Sequence, residues 1–243
     1  MHVKVLDERV VRRAKSRGLD ALVYAPHFVR LPEIERRARA HSDEELLVVP
    51  ARELFTGSWR DRKHVLALGL SEPVPDFLTL AGTMAELERQ DAAVLIPHPA
   101  FLTVSCAAAD VRRYRDSIAA VETYNPKHWA RHNRRARALA GAADLPVFGS
   151  SYAHRRGTIG EVWTAFPEPL DDGNALVMAL DAGVDRRVRR RSGPRHRARC
   201  MAEFGHLGYE NTVSKAGRLR SGTEPTHPGH PAYGGRFDDV RVY

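Results

Sequence analysis

Residues Leu46 to Leu70 read LLVVPARELFTGSWRDRKHVLALGL. Two apolar, β-branched runs, LLVVP and HVLALGL, flank a polar connector that holds Gly57, Trp59 and four basic residues. Short apolar runs of this kind read as buried strands. The first run delivers a carboxylate, Glu53, just past its end, and the second opens on His64. In parallel α/β architectures the strand ends are where chemistry is assembled. Outward from this stretch the same arrangement recurs: ALVYAPH ends on His27, AAVLIPHP carries His98, and PVFGSSYAH ends on His154. Packing alone does not ask strands to end repeatedly in histidine or glutamate.

The flanking segments alternate in type. DERVVRRAKSRG predicts a helix with Val10, Val11 and Ala14 on one face and Gly18 as its stop, and LPEIERRARAH predicts another with Pro32 in its first turn. TMAELERQ follows as a helix, with Thr83 and Glu86 spaced as a capping box. CAAADVRRYRDSI and KHWARHNRRARALAG predict further helices, the second stopped by Gly141. MHVKVL, AAVETYN, PVFGSS and VWTAF read as strands. Repeated strand–helix units with short apolar strands predict an α/β parallel sheet closed, or nearly closed, into a barrel. An open doubly wound sheet is the alternative, and no glycine-rich phosphate loop supports it.

At 243 residues the chain can hold one large α/β domain or a domain with an extension. No apolar run reaches the ~18 residues of a membrane span, and no signal-peptide pattern opens the chain. Cys106 and Cys200 are too few for a disulfide framework or a zinc knuckle, so a reducing cytoplasm is expected. The charge of +8 is uneven. From Asp181 to Tyr243 there are 13 Lys and Arg against 7 Asp and Glu, densest in RRVRRRSGPRHRAR between Arg186 and Arg199. Asp181 to Pro194 reads as a linker, Arg195 to Gly208 as a short amphipathic helix with Met201, Phe204 and Leu207 at helical spacing, and the end as Pro- and Gly-rich and irregular. The expected division is a barrel over residues 1–180 and a basic, partly irregular extension over 181–243. Such a basic surface attracts phosphate, and nucleic acid is one partner it admits.

Imidazoles and a carboxylate at like positions suit Zn²⁺, Mn²⁺ or Fe²⁺. No GxSxG elbow exists, and Cys106 lies in an alanine-rich segment rather than a nucleophile setting. The bland reading of each histidine is a hydrogen-bonded structural residue. It weakens as four or five of them accumulate at one kind of position.

In its order of motifs the chain resembles the PHP (polymerase and histidinol phosphatase) family of metal-dependent phosphoesterases, over roughly Met1 to Phe166. His2-Val3-Lys4 stands against the family's HxH, GLDALVYAPH ending at His27 against its strand-plus-TDH, and PARE with Glu53 against its PGxE. HVLALGL with His64, IPHP with His98, VETYN with Glu122, and SSYAH with His154 against its S-D-A-H complete the order. The resemblance implies a distorted (β/α)₇ barrel with up to three divalent metals at the C-terminal mouth. It also implies hydrolysis of a phosphomonoester or phosphodiester by a metal-activated water.

Two departures fall on one flank of the implied site. Lys4 replaces the second histidine of HxH, and Tyr152 replaces the metal-bridging aspartate. The resemblance therefore implies a reduced site of one or two ions (Mn, Zn or Fe). Glu53, His64 and His98 hold the principal ion, and His27, His154 and His2 complete the ligand set. As the second residue, His2 has little chain to anchor it. Glu122 and Asn125 either orient ligands or cap the next helix. Arg155 and Arg156 follow the last histidine and either clamp phosphate or decorate a loop. Lys4 places a fixed positive charge where relatives hold a cation. His128, Trp129, Arg131 and His132 read as surface residues of one helix, and Trp59 and Trp163 as packing. The rival to a phosphoesterase is an eroded barrel that binds RNA or another polyanion through the basic extension. A purely structural metal is the third reading.

Overall fold

The structure is a computed structural model that describes residues 2–58, 61–101, 104–151 and 156–223, and of Asn211 the backbone alone. Seven strands form one curled mixed sheet in chain order: β1 (His2–Val3), β2 (Ala21–Tyr24), β3 (Leu47–Thr56), β4 (Lys63–Leu68), β5 (Ala93–Ile96), β6 (Ala120–Tyr124) and β7 (Val147–Gly149). Helices pack outside it: α1 (Glu8–Lys15), α2 (Leu31–His41), α3 (Leu80–Arg89), α4 (Ala108–Arg113) and α5 (Ala130–Ala143). The α/β barrel expected from the sequence is thus observed.

The direction of the central strands is a correction. β1, β2 and β3 are parallel, as are β5, β6 and β7, but β4 runs antiparallel to both of its neighbours. The polar stretch after LLVVP is not a connector. β3 runs through it to Thr56, so Glu53 lies inside the strand rather than past its end. Only residues 57–62 remain between β3 and β4. A parallel return needs a crossover of roughly a dozen residues or more, so a hairpin is the only closure within reach. Gly57 makes its turn with φ +76, where a Cβ would collide with the Asp61 carbonyl oxygen.

Helix ends differ in detail. Asp7 caps α1 by accepting the Val10 N–H, and Pro32 sits in the first turn of α2 as expected. α3 starts earlier than its predicted capping box: Thr79 accepts the Gly82 N–H, and Thr83 is buried inside the helix. α5 runs past Gly141 and stops at Asp144, which takes the left-handed conformation with φ 50.

Alternation along the strands divides the core. Leu22, Tyr24 and Val48 face α1 and α2, while Leu54, Val65, Val94 and Val121 face the helices on the other side. Val23, Val49, Ala51, Leu66, Leu68, Leu95 and Phe148 fill the inside of the curl. Further along the same inward face, period-two alternation brings Glu53 on β3 and His64 on β4 to the mouth. The two edge strands meet there. The His2 N–H donates to Ser150 Oγ at 3.0 Å and Ser150 Oγ donates back to the His2 carbonyl at 3.2 Å. His2 is therefore anchored and buried, against the expectation from its place in the chain.

The stretch read as a linker is also ordered. β8 (Val162–Ala165) pairs antiparallel with β9 (Arg187–Arg190), and α6 (Gly173–Asp181) lies between them in sequence. α7 (Pro194–Tyr209) follows, then a π-helical turn (Glu210–Ser214) and α8 (Lys215–Arg220). The expected apolar face of α7 points outward: Met201 and Phe204 are exposed, and the buried residues are His196 and Glu203. Among the described residues no helix is long and apolar enough to cross a membrane.

Candidate metal centre

The β3–β4 register pairs Phe55 with His64 and Glu53 with Leu66. Glu53 and His64 are therefore diagonal neighbours on one face, within reach of long side chains. His64 lies stacked on Phe55, with ring centroids 4.1 Å apart. Its Nδ1 is 2.8 Å from Glu53 Oε1. His98 follows β5 on a left-handed backbone, φ 34, a conformation that persists only when surroundings enforce it. Here the His98 N–H donates to Glu122 Oε2 at 2.7 Å, and its Nε2 reaches Glu53 Oε1 at 3.4 Å. One ligand atom from each of Glu53, His64 and His98 lies within 4.8 Å of the others, and all three side chains are buried.

The donor set fits a divalent cation. Ser105 Oγ donates its single hydrogen to the Phe101 carbonyl at 2.7 Å, so at 3.0 Å it accepts from His98 Nδ1–H. In the neutral ring that places the lone pair on Nε2, toward Glu53, the arrangement of metal-binding histidines. Burial, outweighing the pull of Glu53, pushes His64 down to about 4, so its imidazole is neutral at neutral pH. His64 Nε2 lies buried with no hydrogen-bond partner among the described residues. Burial pushes the Glu53 carboxyl up, but Lys4, His64 and His98 together outweigh it and hold the group ionised.

Glu53 divides its oxygens between two environments. Oε1 faces His64 and His98, whereas Oε2 faces Lys4 Nζ at 3.3 Å, His27 Nε2 at 3.3 Å and His2 Nε2 at 3.7 Å. Lys4 Nζ also contacts the His27 imidazole. The lysine ammonium thus stands among the groups that could otherwise serve a second cation. Burial pushes His2 down to about 3, leaving it neutral. Glu122 also accepts from Asn125 Nδ2 at 3.1 Å, and burial pushes its carboxyl up to about 7. Asn125 in turn accepts the Lys127 N–H, closing the turn after β6.

The structure therefore gathers His2, Lys4, His27, Glu53, His64, His98, Glu122 and Asn125 at one mouth. His154, Tyr152 and Arg155 lie outside the described residues, as does Trp59. Arg156 pairs with Asp7 at 2.9 Å on the surface. Cys106 is buried, and burial pushes its thiol up to about 12, which removes it as a nucleophile.

Sequence reading missed several neighbours. His128 is not surface decoration: it precedes α5, stacks on Phe101 at 3.8 Å, and lies 6.2 Å from the His98 ring. Lys127 is buried beside Glu203 of α7, with Nζ 3.8 Å from its Oε1. Burial and the charge of Lys4 push Lys127 down to about 7. The signal for Glu203 was present as a polar stripe, His196, Cys200 and Glu203, at helical spacing.

The curled mixed sheet carries at its mouth a glutamate and two histidines, all buried, that could hold a metal ion. A family model described as PHP-associated matches residues 130–184. No curated protein matches the chain. Among solved structures, PsfC from Pseudomonas syringae superposes with TM-score 0.61 at 19% identity, covering 87% of this chain and 97% of that one. A structure assigned to a metal-dependent phosphoesterase of Bifidobacterium adolescentis gives 0.53 at 13% identity, over 76% and 95%. Endonuclease Q in complex with duplex DNA carrying an abasic lesion gives 0.54 at 14%, over 77% of this chain and 57% of that one. At these identities the superpositions speak for the fold. The PHP-associated match over residues 130–184 is a likeness in sequence that accords with that fold.

Proposed function

We propose that the chain is a divalent-metal-dependent phosphoesterase with a reduced, one-ion site. The observation that carries the reading is the convergence of Glu53 Oε1, His64 and His98 within 4.8 Å, buried at the sheet's mouth. Those three residues would hold the ion, with Mn, Zn or Fe each compatible with mixed nitrogen and oxygen donors. Bound there, such an ion lowers the pKa of water and neutralises charge on phosphate oxygens. The chain's own residues prepare the place. Ser105 orients His98, Glu122 holds its backbone, and Phe55 supports the His64 ring. Lys4 keeps a positive charge beside Glu53 Oε2, which attracts an anionic substrate and repels a second cation. His27 and His2 lie behind that ammonium. His154 belongs to the same ligand set in this reading.

The experiment is metal analysis joined to hydrolysis of an aryl phosphate with added Mn²⁺ or Zn²⁺. His64→Ala should lose metal and hydrolysis together while keeping its fold. A fully metal-loaded chain that hydrolyses no mono- or diester overturns the reading.

One observation favours a second reading, an eroded barrel that binds RNA or another polyanion. Arg187, Arg189 and Arg190 of β9 and Arg195 and Arg197 of α7 are exposed together in one short span. Binding of RNA without hydrolysis, weakening steeply with salt, would establish it.

A further inference from the structure

Helix α7 carries a carboxylate to the protein interior. Glu203 is fully buried while its helix neighbours Met201 and Phe204 are exposed. An ionised carboxylate removed from water costs several kcal/mol unless cations and donors meet it. Glu203 is met by the Thr158 hydroxyl, which donates to Oε2 at 3.0 Å, and by Lys127 Nζ, 3.8 Å from Oε1. Lys127 is itself buried. It sits in the turn after β6, one residue before His128, at the same mouth as His98 and Glu122. The charges of Lys4 and Glu53 act on Lys127, and that of Lys127 acts on His2. The Lys127 Nζ and the Thr158 hydroxyl thus meet the two oxygens of one buried carboxylate.

Resting on the phosphoesterase reading, we infer that Lys127 and Thr158 form a subsite for the substrate's phosphate, and that Glu203 occupies it as an internal stand-in. A planar carboxylate offers two oxygens where a phosphate would offer two of its own. The first turns of α7 are tied down independently, through His196 Nδ1 to Glu161 at 2.8 Å and Arg199 to the same carboxylate. Its later turns carry Glu203 inward and Phe204 outward, the Phe204 ring lying 5.8 Å from that of Trp129. Phosphate therefore competes with Glu203 for Lys127 and Thr158.

The probe is inorganic phosphate, titrated by calorimetry into the full chain held metal-free with chelator. Wild type should bind weakly. Glu203→Gln should bind about ten-fold tighter or more, the factor that one charge-assisted hydrogen bond freed for the ligand represents. Adding Lys127→Met to that variant should abolish the gain, and adding Thr158→Val should reduce it. Equal phosphate affinity in folded wild type and Glu203→Gln overturns the inference, as does a gain that survives Lys127→Met. If Glu203→Gln does not fold, Glu203→Asp, which draws the carboxylate back by one methylene, is read by the same outcomes. The two readings fail separately. Phosphate binding as described without ester hydrolysis keeps the subsite and removes the phosphoesterase, and metal-dependent hydrolysis with no effect of Glu203 does the reverse.

Discussion

Replacing Lys4 with Met removes the ammonium 3.3 Å from Glu53 Oε2. At an effective dielectric of about 20, charges at that separation attract by ~5 kcal/mol. Stripping one member from a buried pair costs roughly 3–5 kcal/mol, because the remaining charge stays buried. For a chain of this length that is a fall in Tm of about 6–20 °C in the metal-free protein. The same substitution opens the space among Glu53 Oε2, His27 and His2, three groups able to ligate a cation. Added Zn²⁺ or Mn²⁺ should then restore stability in Lys4→Met more than in wild type, and metal per chain should rise from one ion toward two. Calorimetric melting with chelator and with metal, alongside elemental analysis after dialysis, reads both effects. A metal-free variant that melts within about 2 °C of wild type, or a stoichiometry that stays at one, refutes the placement of Lys4 as a built-in cation.

Three further outcomes follow from particular contacts. Ser105→Ala removes the acceptor that fixes the His98 tautomer and should weaken metal binding about 10- to 100-fold with little loss of fold; titration calorimetry showing unchanged affinity would contradict the orientation argued for Nε2. Gly57→Ala should destabilise by about 1–3 kcal/mol in urea, since it strains a left-handed turn and sets a Cβ against the Asp61 carbonyl. Burial raises the Glu161 carboxyl, but His196, Arg199 and Arg17 outweigh it and hold the group below its ordinary value. Its stabilising contribution is therefore complete above roughly pH 4.3, the unfolded value, and is lost as pH falls through the lower folded value. Glu161→Gln should flatten that part of the stability–pH curve, and a curve of unchanged slope would show that the network is not what acid dissolves.

Much of the barrel was legible because most buried strands advertise themselves as short apolar runs and α2 carries its own start signal in Pro32. The direction of β4 was misread because Ala51 to Thr56 contains Arg52 and Glu53, which look like connector residues. Both are buried on the strand, Glu53 among the histidines and Arg52 against Asp76 at 2.8 Å. Once those residues are given to the strand, the six-residue remainder is too short for a crossover. The site residues on strands and strand ends were visible as His and Glu after apolar runs. Ser105 and Lys127 were not, because their roles come from packing between elements distant in sequence. On α7 the rule that apolar faces turn inward fails. Glu161, Lys127 and Thr158 offer polar partners, so the polar stripe is buried and Met201 and Phe204 remain outside.

The account's central claim is the location and number of the ion. Anomalous diffraction from crystals grown with Zn²⁺ or Mn²⁺ tests it directly. One peak is predicted, about 2.0–2.2 Å from a His64 nitrogen, His98 Nε2 and Glu53 Oε1, with the Lys4 ammonium still beside Oε2. A peak on the Oε2 side with Lys4 displaced, or no peak between the three ligands at saturating metal, would contradict it.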